Sequence, residues 1–516
     1  MLSEFKNETF LDFSNPEHRR GQSEAIAAVE ARLGAEHAMV IGGEKVTARE
    51  KFRSLNPSEP SQVVGVFQKG GEAEARRAVE AADRAFSTWR FVPARERAAV
   101  LLRAAAAMRR RRYDLNAWLT LEVGKSWAEA DADTAEAIDF CEFYAREAIR
   151  LSGPQPLTPV PGEANELRYI PLGVAVVVPP WNFPLAITCG MTTAALVAGN
   201  TVVLKPSSDA PLVATVLCEI LAEAGAPAGT INLITGPGGA AGEAAAAHPR
   251  ARVLAFTGSR EVGVHLNEVV ARVPPGQIWL KRAILEMGGK DFIVVDETAD
   301  LDAAASAVVA SAFGFGGQKC SACSRAIVVD RVYDALLSRI VPLAEALKIG
   351  PAKSPDTFLG PLVNDGRLKE VRGYIEVGRG EGRLVCGGEP APGPGYFHKP
   401  TVFADVAPSA RIAREEIFGP VLAVLRARDL DHGIELANDT EYGLTGSVFT
   451  RDAGRAARAR RLLHCGNLYV NRKCTGALVG GHPFGGFNMS GTDSKAGGRD
   501  YLLLFTQAKA ISEKLG

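Results

Sequence analysis

Residues 169–204 contain no charged side chain, and no other feature of the chain limits its fold as much. An unbroken apolar run of that length would read as a membrane span. Pro171, Pro179, Pro180 and Pro184 break this one, with Gly173, Gly190 and Gly199 among them. In lipid each break would leave backbone N–H and C=O groups without partners. The pieces have the length of buried elements instead. Residues 173–178 (GVAVVV) and 201–204 (TVVL) read as fully buried parallel strands, with a helix over about 186–197 between them.

The same alternation continues downstream. GVAVVV, TVVLKP, GTINLIT and RVLAFTG each precede a small-residue or helical segment, the pattern of a parallel sheet. A second series starts near Lys290 with KDFIVVD, then AIVVD, with later strands at 400–403, 421–425 and 447–450. Upstream, 15–35 reads as an amphipathic helix and 38–61 as a small strand region. Residues 72–89, 94–112, 113–121 and 130–151 are Ala/Arg/Glu-rich helices with apolar residues three and four apart. The Gly/Pro run at 153–161 ends the last of them and opens an extended arm at 166–170. Residues 500–512 are compatible with either a strand or a helix. Two α/β layers in one chain predict two domains with a cleft between them.

Composition narrows the function classes. At roughly 100–200 residues per domain, 516 residues imply about three domains. Lys+Arg and Asp+Glu balance at 59 each, so electrostatics gives no case for nucleic acid or a membrane surface as partner. Eight cysteines are too sparse for a disulfide scaffold, and the N-terminal residues read as neither signal nor transit peptide. A reducing cytoplasm is the expected compartment.

Several residues could carry chemistry. In 316–321 (GGQKCS), Cys320 sits in a turn of small residues ahead of a strand. Glycines let backbone approach a substrate, and Lys319 supplies positive charge that would favour a thiolate. A buried structural cysteine is the other reading. Cys323 completes C-x-x-C, but without a second pair or nearby histidines no zinc site is expected. Glu286, beside Gly288 and Gly289 at an inter-strand corner, suits a general base or a solvated loop carboxylate. Asn182, in PWNFP, lies just past the carboxyl end of a buried strand, where open α/β sheets bind ligands. Its side chain could donate to a developing oxyanion, although an asparagine in a turn needs no function. Residues 235–242 (TGPGGAAG) match the dinucleotide pattern at Gly236, Gly238 and Ala241. In FTGS, Gly258 and Ser259 open a helix whose N–H groups could hold a phosphate. Lys205 ends a strand within reach of a ribose or phosphate. Together these features point to a nucleotide.

In order and spacing, PWNFP, KPS, FTGS, EMGGK, GGQKCSA, EEIFGP and PFGG resemble the aldehyde dehydrogenase superfamily from about residue 50 to 505. Within it, 471–480 (NRKCTGALVG), the HPFGG that follows and 135–140 (AEAIDF) are similar to one branch. That branch oxidises 1-pyrroline-5-carboxylate, as L-glutamate γ-semialdehyde, to L-glutamate in the second step of proline breakdown. The resemblance implies a Rossmann-like NAD-binding domain (1–151 and 172–285), an α/β catalytic domain (286–486), and a small oligomerisation arm and tail (152–171 and 487–516).

It also implies roles. Cys320 would attack the aldehyde as a thiolate, and the Asn182 side chain and the Cys320 N–H would hold the resulting oxyanion. Hydride would leave to nicotinamide, and Glu286 would activate the water that hydrolyses the thioester. Lys205 and Glu416 would hold the two riboses, Phe418 would lie beside the nicotinamide end, and Ser259 would take the pyrophosphate. Trp181, Ser208, Gly238 and Gly258 complete the implied cofactor-binding set. Ser321 and the N–H groups of Gly476 and Ala477 would grip the substrate carboxylate. Phe183 and Phe484 would flank its chain, and Glu136 would approach its ammonium. A zwitterion would thus be held largely by backbone donors, in keeping with the lack of a dense charged cluster in the motifs. Ser208 stands where many NAD-preferring relatives carry glutamate, which leaves NADP acceptance open. The resemblance implies no metal. It implies a homodimer or larger assembly, and the chain length implies that any proline dehydrogenase partner is a separate protein. The competing substrate reading is another semialdehyde, such as succinate or aminoadipate semialdehyde. An idle nucleotide-binding protein of the same fold would not need Cys320, Glu286 and Asn182 intact.

Overall fold

The structure, a computed structural model, describes residues 2–516. Two seven-stranded sheets frame it. The first runs in the order Arg282–Glu286, Ala251–Thr257, Val174–Val178, Thr201–Leu204, Ile231–Leu233, Met39–Ile41, Glu44–Val46. Its first five strands are parallel and the last two antiparallel. The GVAVVV reading holds: residues 174–177 are at most 1% exposed, as a central strand covered on both faces requires. From this strand the chain winds outward on one side, then returns to the other with Ala251–Thr257. That reversal opens a crevice at the carboxyl ends of the two strands.

The second sheet runs Arg383–Cys386, Thr401–Ala404, Val421–Ala427, Arg325–Val329, Phe292–Val295, Thr445–Phe449, Asn467–Val470. All its neighbours pair in parallel except the first strand, an antiparallel edge.

The helix Ala186–Val197 accounts for the rest of the charge-free run. Every residue of it is buried except Ile187. It lies against Trp127–Leu151, and Gly190 permits the close approach, since a Cβ there would sit 3.0 Å from the Phe140 ring. Among the described residues no helix is long and apolar enough to cross a membrane.

Residues 500–512, open in the sequence, split in two. Tyr501–Phe505 forms a 3-10 turn packed on the frame, with Tyr501 stacked on Tyr144 at 5.5 Å between centroids. Thr506–Lys514 then leaves as a strand paired antiparallel with Glu163–Pro171. Tyr501, Leu502 and Phe505 are thus buried in the main core, and it is residues 506–514 that pair with the extended arm.

Candidate active site

The carboxyl ends of the first sheet carry one wall of the site. After Val174–Val178 the chain turns through Trp181, Asn182 and Phe183. Asn182 is 3% exposed, and its Nδ2 donates to the Gln318 carbonyl at 3.0 Å, two residues before Cys320. The Trp181 ring meets Phe418 nearly at right angles, 5.5 Å between centroids. Lys205, at the end of Thr201–Leu204, is 3% exposed and its Nζ makes no hydrogen bond among the described residues. Burial pulls its ammonium down to about 8. Its Nζ lies 3.8 Å from where a Cβ on Gly238 would sit, and Ser208 bonds the Gly236 carbonyl at 3.1 Å, so these three meet at one turn. The turn's glycine pattern has a packing cause at Gly236, where a Cβ would overlap the Gly70 carbonyl. Gly258 donates its N–H to the Glu286 carbonyl at 3.1 Å. Ser259 caps the helix Arg260–Ala271, its hydroxyl accepting from the Val262 N–H.

Glu286 ends the strand Arg282–Glu286 and is half-buried. Its carboxylate accepts from the Ser494 hydroxyl at 2.6 Å and the Gly486 N–H at 3.4 Å. Burial outweighs these bonds and raises its carboxyl to about 8.

The second sheet supplies the other wall from its amino ends. The turn Gly314–Gly317 winds through positive φ at Phe315, Gly316 and Gly317 and delivers the half-buried Cys320. At Gly317 a Cβ would overlap the Gly419 carbonyl, so this turn requires glycine to pack against the 416–419 loop. On that loop, Glu416 accepts from the Gly289 N–H at 3.1 Å, and its carboxyl is raised to about 7 by burial. Gly288 leaves the room: a Cβ there would overlap the Glu416 carboxylate.

One sequence expectation fails. Lys319 does not stand free to favour a Cys320 thiolate, because its Nζ is paired with Glu129 at 2.7 Å. Burial, with Asp291, Glu416 and Glu286 nearby, instead pushes the Cys320 thiol well above its usual range. A base close by is therefore required for the thiol to react.

The substrate-side residues gather less tightly. Phe183 lies under Lys125, with Nζ 3.7 Å from the ring centroid, and Lys125 is fully buried in an ion pair with Asp133 at 2.9 Å. Glu136 is half-buried, and burial and the neighbouring Asp133 raise its carboxyl to about 8. Ser321 is 8% exposed. Its carbonyl accepts from the Cys474 thiol at 3.5 Å, which ties the nucleophile's turn to the loop carrying Gly476 and Ala477. Gly476 has φ +77°. Phe484 pairs with Ala496 in an isolated bridge. No hydrogen bond joins the Ser321 side chain to Gly476 or Ala477 among the described residues.

The expected lack of charge is also corrected. Lys125, Glu129, Asp133, Glu136 and Lys319 form one charged cluster beside Phe183. Its acids fall at spacings of four and three on the helix Trp127–Leu151, one face by helical geometry, and that spacing was the available signal. Ser494 also bears on the site and carries no motif that marks it, while Asp291 and Cys474 lie inside KDFIVVD and NRKCTGALVG without a role read for them there. Among the described residues no group of three His, Cys, Asp or Glu side chains could hold a metal ion.

Comparison with known proteins agrees with this architecture. Residues 45–511 match the aldehyde dehydrogenase family. The chain is 54% identical to a 1-pyrroline-5-carboxylate dehydrogenase of Geobacillus thermodenitrificans, over 99% of this chain and 100% of that protein. It is 51% identical to a 1-pyrroline-5-carboxylate dehydrogenase from Thermus solved with bound NAD, with TM-score 0.98 and both chains fully covered. It is also similar to proline utilization A of Bdellovibrio bacteriovorus, at 45% identity and TM-score 0.98, over 99% of this chain and 53% of that one. Sequence, topology and site geometry lead to one conclusion: the chain belongs to the aldehyde dehydrogenase family.

Proposed function

We propose that this protein oxidises L-glutamate γ-semialdehyde, the open form of 1-pyrroline-5-carboxylate, to L-glutamate with NAD. The observation that carries the reading is the convergence of Asn182, Glu286 and Cys320 where the two sheets meet. Full-length identity above 50% to 1-pyrroline-5-carboxylate dehydrogenases supports the choice of substrate.

The cofactor has groups to meet. Lys205 offers a buried ammonium without a partner, and Glu416 keeps one carboxyl oxygen free of hydrogen bonds. The helix at Ser259 offers N–H groups to a pyrophosphate. Trp181 and Phe418 make an aromatic corner for the nicotinamide end. Bound NAD supplies the hydride acceptor.

The protein's own groups act on either side of that transfer. Glu286, with its carboxyl near 8, is the base for the buried Cys320 thiol. The thiolate sulfur bonds the aldehyde carbon, giving a thiohemiacetal whose oxygen carries the charge. One Nδ2 hydrogen of Asn182 is taken by Gln318, and the other, with the Cys320 N–H, is available to that oxygen. After oxidation the acyl group is a thioester on Cys320. Glu286 gives up the thiol proton to solvent and then takes one from water, the water oxygen bonds the acyl carbon, and the carbon–sulfur bond breaks to leave the Cys320 thiolate and release the carboxylate. Ser321, Gly476 and Ala477 hold the substrate carboxylate, Phe183 and Phe484 flank its chain, and Glu136 meets its ammonium.

NADH formation with L-glutamate γ-semialdehyde, succinate semialdehyde and propanal, with NADP in parallel, tests this reading. A kcat/KM preference of about tenfold or more for the glutamate compound is expected. Equal rates with the others would overturn the substrate assignment. We also propose a homo-oligomer, because the largely exposed ribbon of Glu163–Pro171 and Thr506–Lys514 is only two strands wide and marginal alone. A monomer by light scattering would overturn that.

A further inference from the structure

Beneath the nucleophile's turn lies Asp291, a residue to which nothing above gives a role. It is 2% exposed and immediately precedes the strand Phe292–Val295. Its backbone carbonyl accepts from the N–H groups of Ser324 at 3.2 Å and Arg325 at 3.1 Å, closing the far end of the 320–325 turn. Its Oδ1 accepts from the Thr445 N–H at 2.6 Å, and the Thr445 hydroxyl donates to the Ser321 carbonyl at 3.4 Å. Its Oδ2 is buried and has no partner. That oxygen lies 2.5 Å from the point where a Cβ on Gly289 would sit, and the Cys320 carbonyl oxygen lies 2.6 Å from the same point. Two acceptor oxygens thus approach one small space across a glycine.

No cation is paired with this carboxyl, although the Arg325 guanidinium and the Lys290 ammonium lie near enough to act on it through charge. The Arg325 guanidinium is used on the carbonyls of Lys290, Leu436 and Ala437. Lys290 Nζ makes no hydrogen bond. The other titratable groups around it are Glu416 and the thiols of Cys320, Cys323, Cys465 and Cys474, with Glu286 beyond Cys320. An ionised carboxylate here would have one backbone donor and no cation in hydrogen-bond contact.

We propose that Asp291 is a positioning residue held as a neutral carboxylic acid, with its Oδ2–H directed at the Cys320 carbonyl to brace the nucleophile's turn. Two facing acceptors repel, and one proton turns them into a donor and an acceptor. Burial, with Cys474 and Glu416 adding to it, holds the carboxyl well above the usual range, in agreement with that state. Neutrality has a second effect. It removes a negative charge from beside a thiol that burial already disfavours ionising, so the thiolate forms more readily.

The proposal rests on Cys320 as nucleophile, and its test is independent of the aldehyde. Alkylation of Cys320 by iodoacetamide reads the thiolate directly, so its pH profile tests Asp291 even if the substrate assignment fails. Asp291→Asn keeps one acceptor and one donor without charge. Its alkylation profile is expected to superimpose on the wild type, with kcat within about threefold. Asp291→Ala loses the brace, and kcat is expected to fall about tenfold or more while KM for NAD is unchanged. A downward shift of the alkylation midpoint by about one pH unit or more in Asp291→Asn would mean an ionised Asp291 in the wild type, and would overturn the proposal. Wild-type kcat in Asp291→Ala would overturn the bracing. Should either variant fail to fold, the wild-type protein decides the protonation. Labelled with aspartate carrying carbon-13 at its side-chain carboxyl, it is expected to show an isotope-shifted protonated-carboxyl infrared band near neutral pH. Absence of that band would overturn the proposal.

Discussion

The two seven-stranded sheets build the site from opposite ends of their strands. The first presents Asn182, Lys205, Ser259 and Glu286 at or just beyond carboxyl ends. The second presents Asp291, Cys320 and Thr445 at or before amino ends. Carboxyl ends of parallel strands lead into helix N-termini, where backbone N–H groups meet anions without help from side chains. Amino ends offer no such dipole. The Cys320 turn is accordingly held by side chains reaching across the chain: Thr445 and Cys474 to the Ser321 carbonyl, Asn182 to the Gln318 carbonyl. The first wall adds backbone N–H groups at a helix start to the side chains it offers a charged cofactor, and the turn suited to covalent chemistry is held by buried side chains.

That contrast can be broken at three points. The largest effect is expected from Cys320→Ala, which should cut aldehyde oxidation by about 10⁴-fold or more while NAD binding, followed by fluorescence titration, is retained. An active variant would remove the amino-end wall from the chemistry. Glu286 belongs to the first sheet yet bonds Ser494 and Gly486 of the second wall, so it joins the two. Its carboxyl is raised to about 8, so it is protonated below that pH and gains its basic form as pH rises through it. The wild-type rate should therefore climb with pH up to about 8 and level off. Glu286→Gln should lose that limb and about 10²–10⁴-fold in kcat. A pH profile unchanged by the substitution would place the base elsewhere. The smallest effect is expected from Lys205→Ala, with KM for NAD raised about tenfold and kcat nearly constant, because it alters cofactor binding alone. A matching fall in kcat would show that the two walls are not separable.

Much of the first wall was legible in the sequence because its elements are local. The strand 174–178 and the motifs after it lie within a few residues of each other, and strand, turn and helix start follow in order. The glycine-marked turns that carry Cys320 and Glu286 were legible for the same reason, being short and local. The reading failed where partners are distant in the chain. Glu129 neutralises Lys319 from 190 residues away and Ser494 reaches Glu286 from 208, and neither pairing leaves a periodic trace. In the sequence Asp291 reads only as part of the strand-like KDFIVVD, and its carboxyl acquires meaning only beside Thr445 and Cys320.

The helix Ala186–Val197 begins four residues after Asn182 and has almost no solvent face. A segment so enclosed opens only with the surrounding core, so its amides should be among the slowest in the molecule to exchange with deuterium. The loop carrying Gly476 and Ala477 lies largely at the surface and should exchange far sooner. Asn182 then stands on a wall cast before any ligand arrives, and adjustment to the shape of an incoming aldehyde falls to the opposite rim.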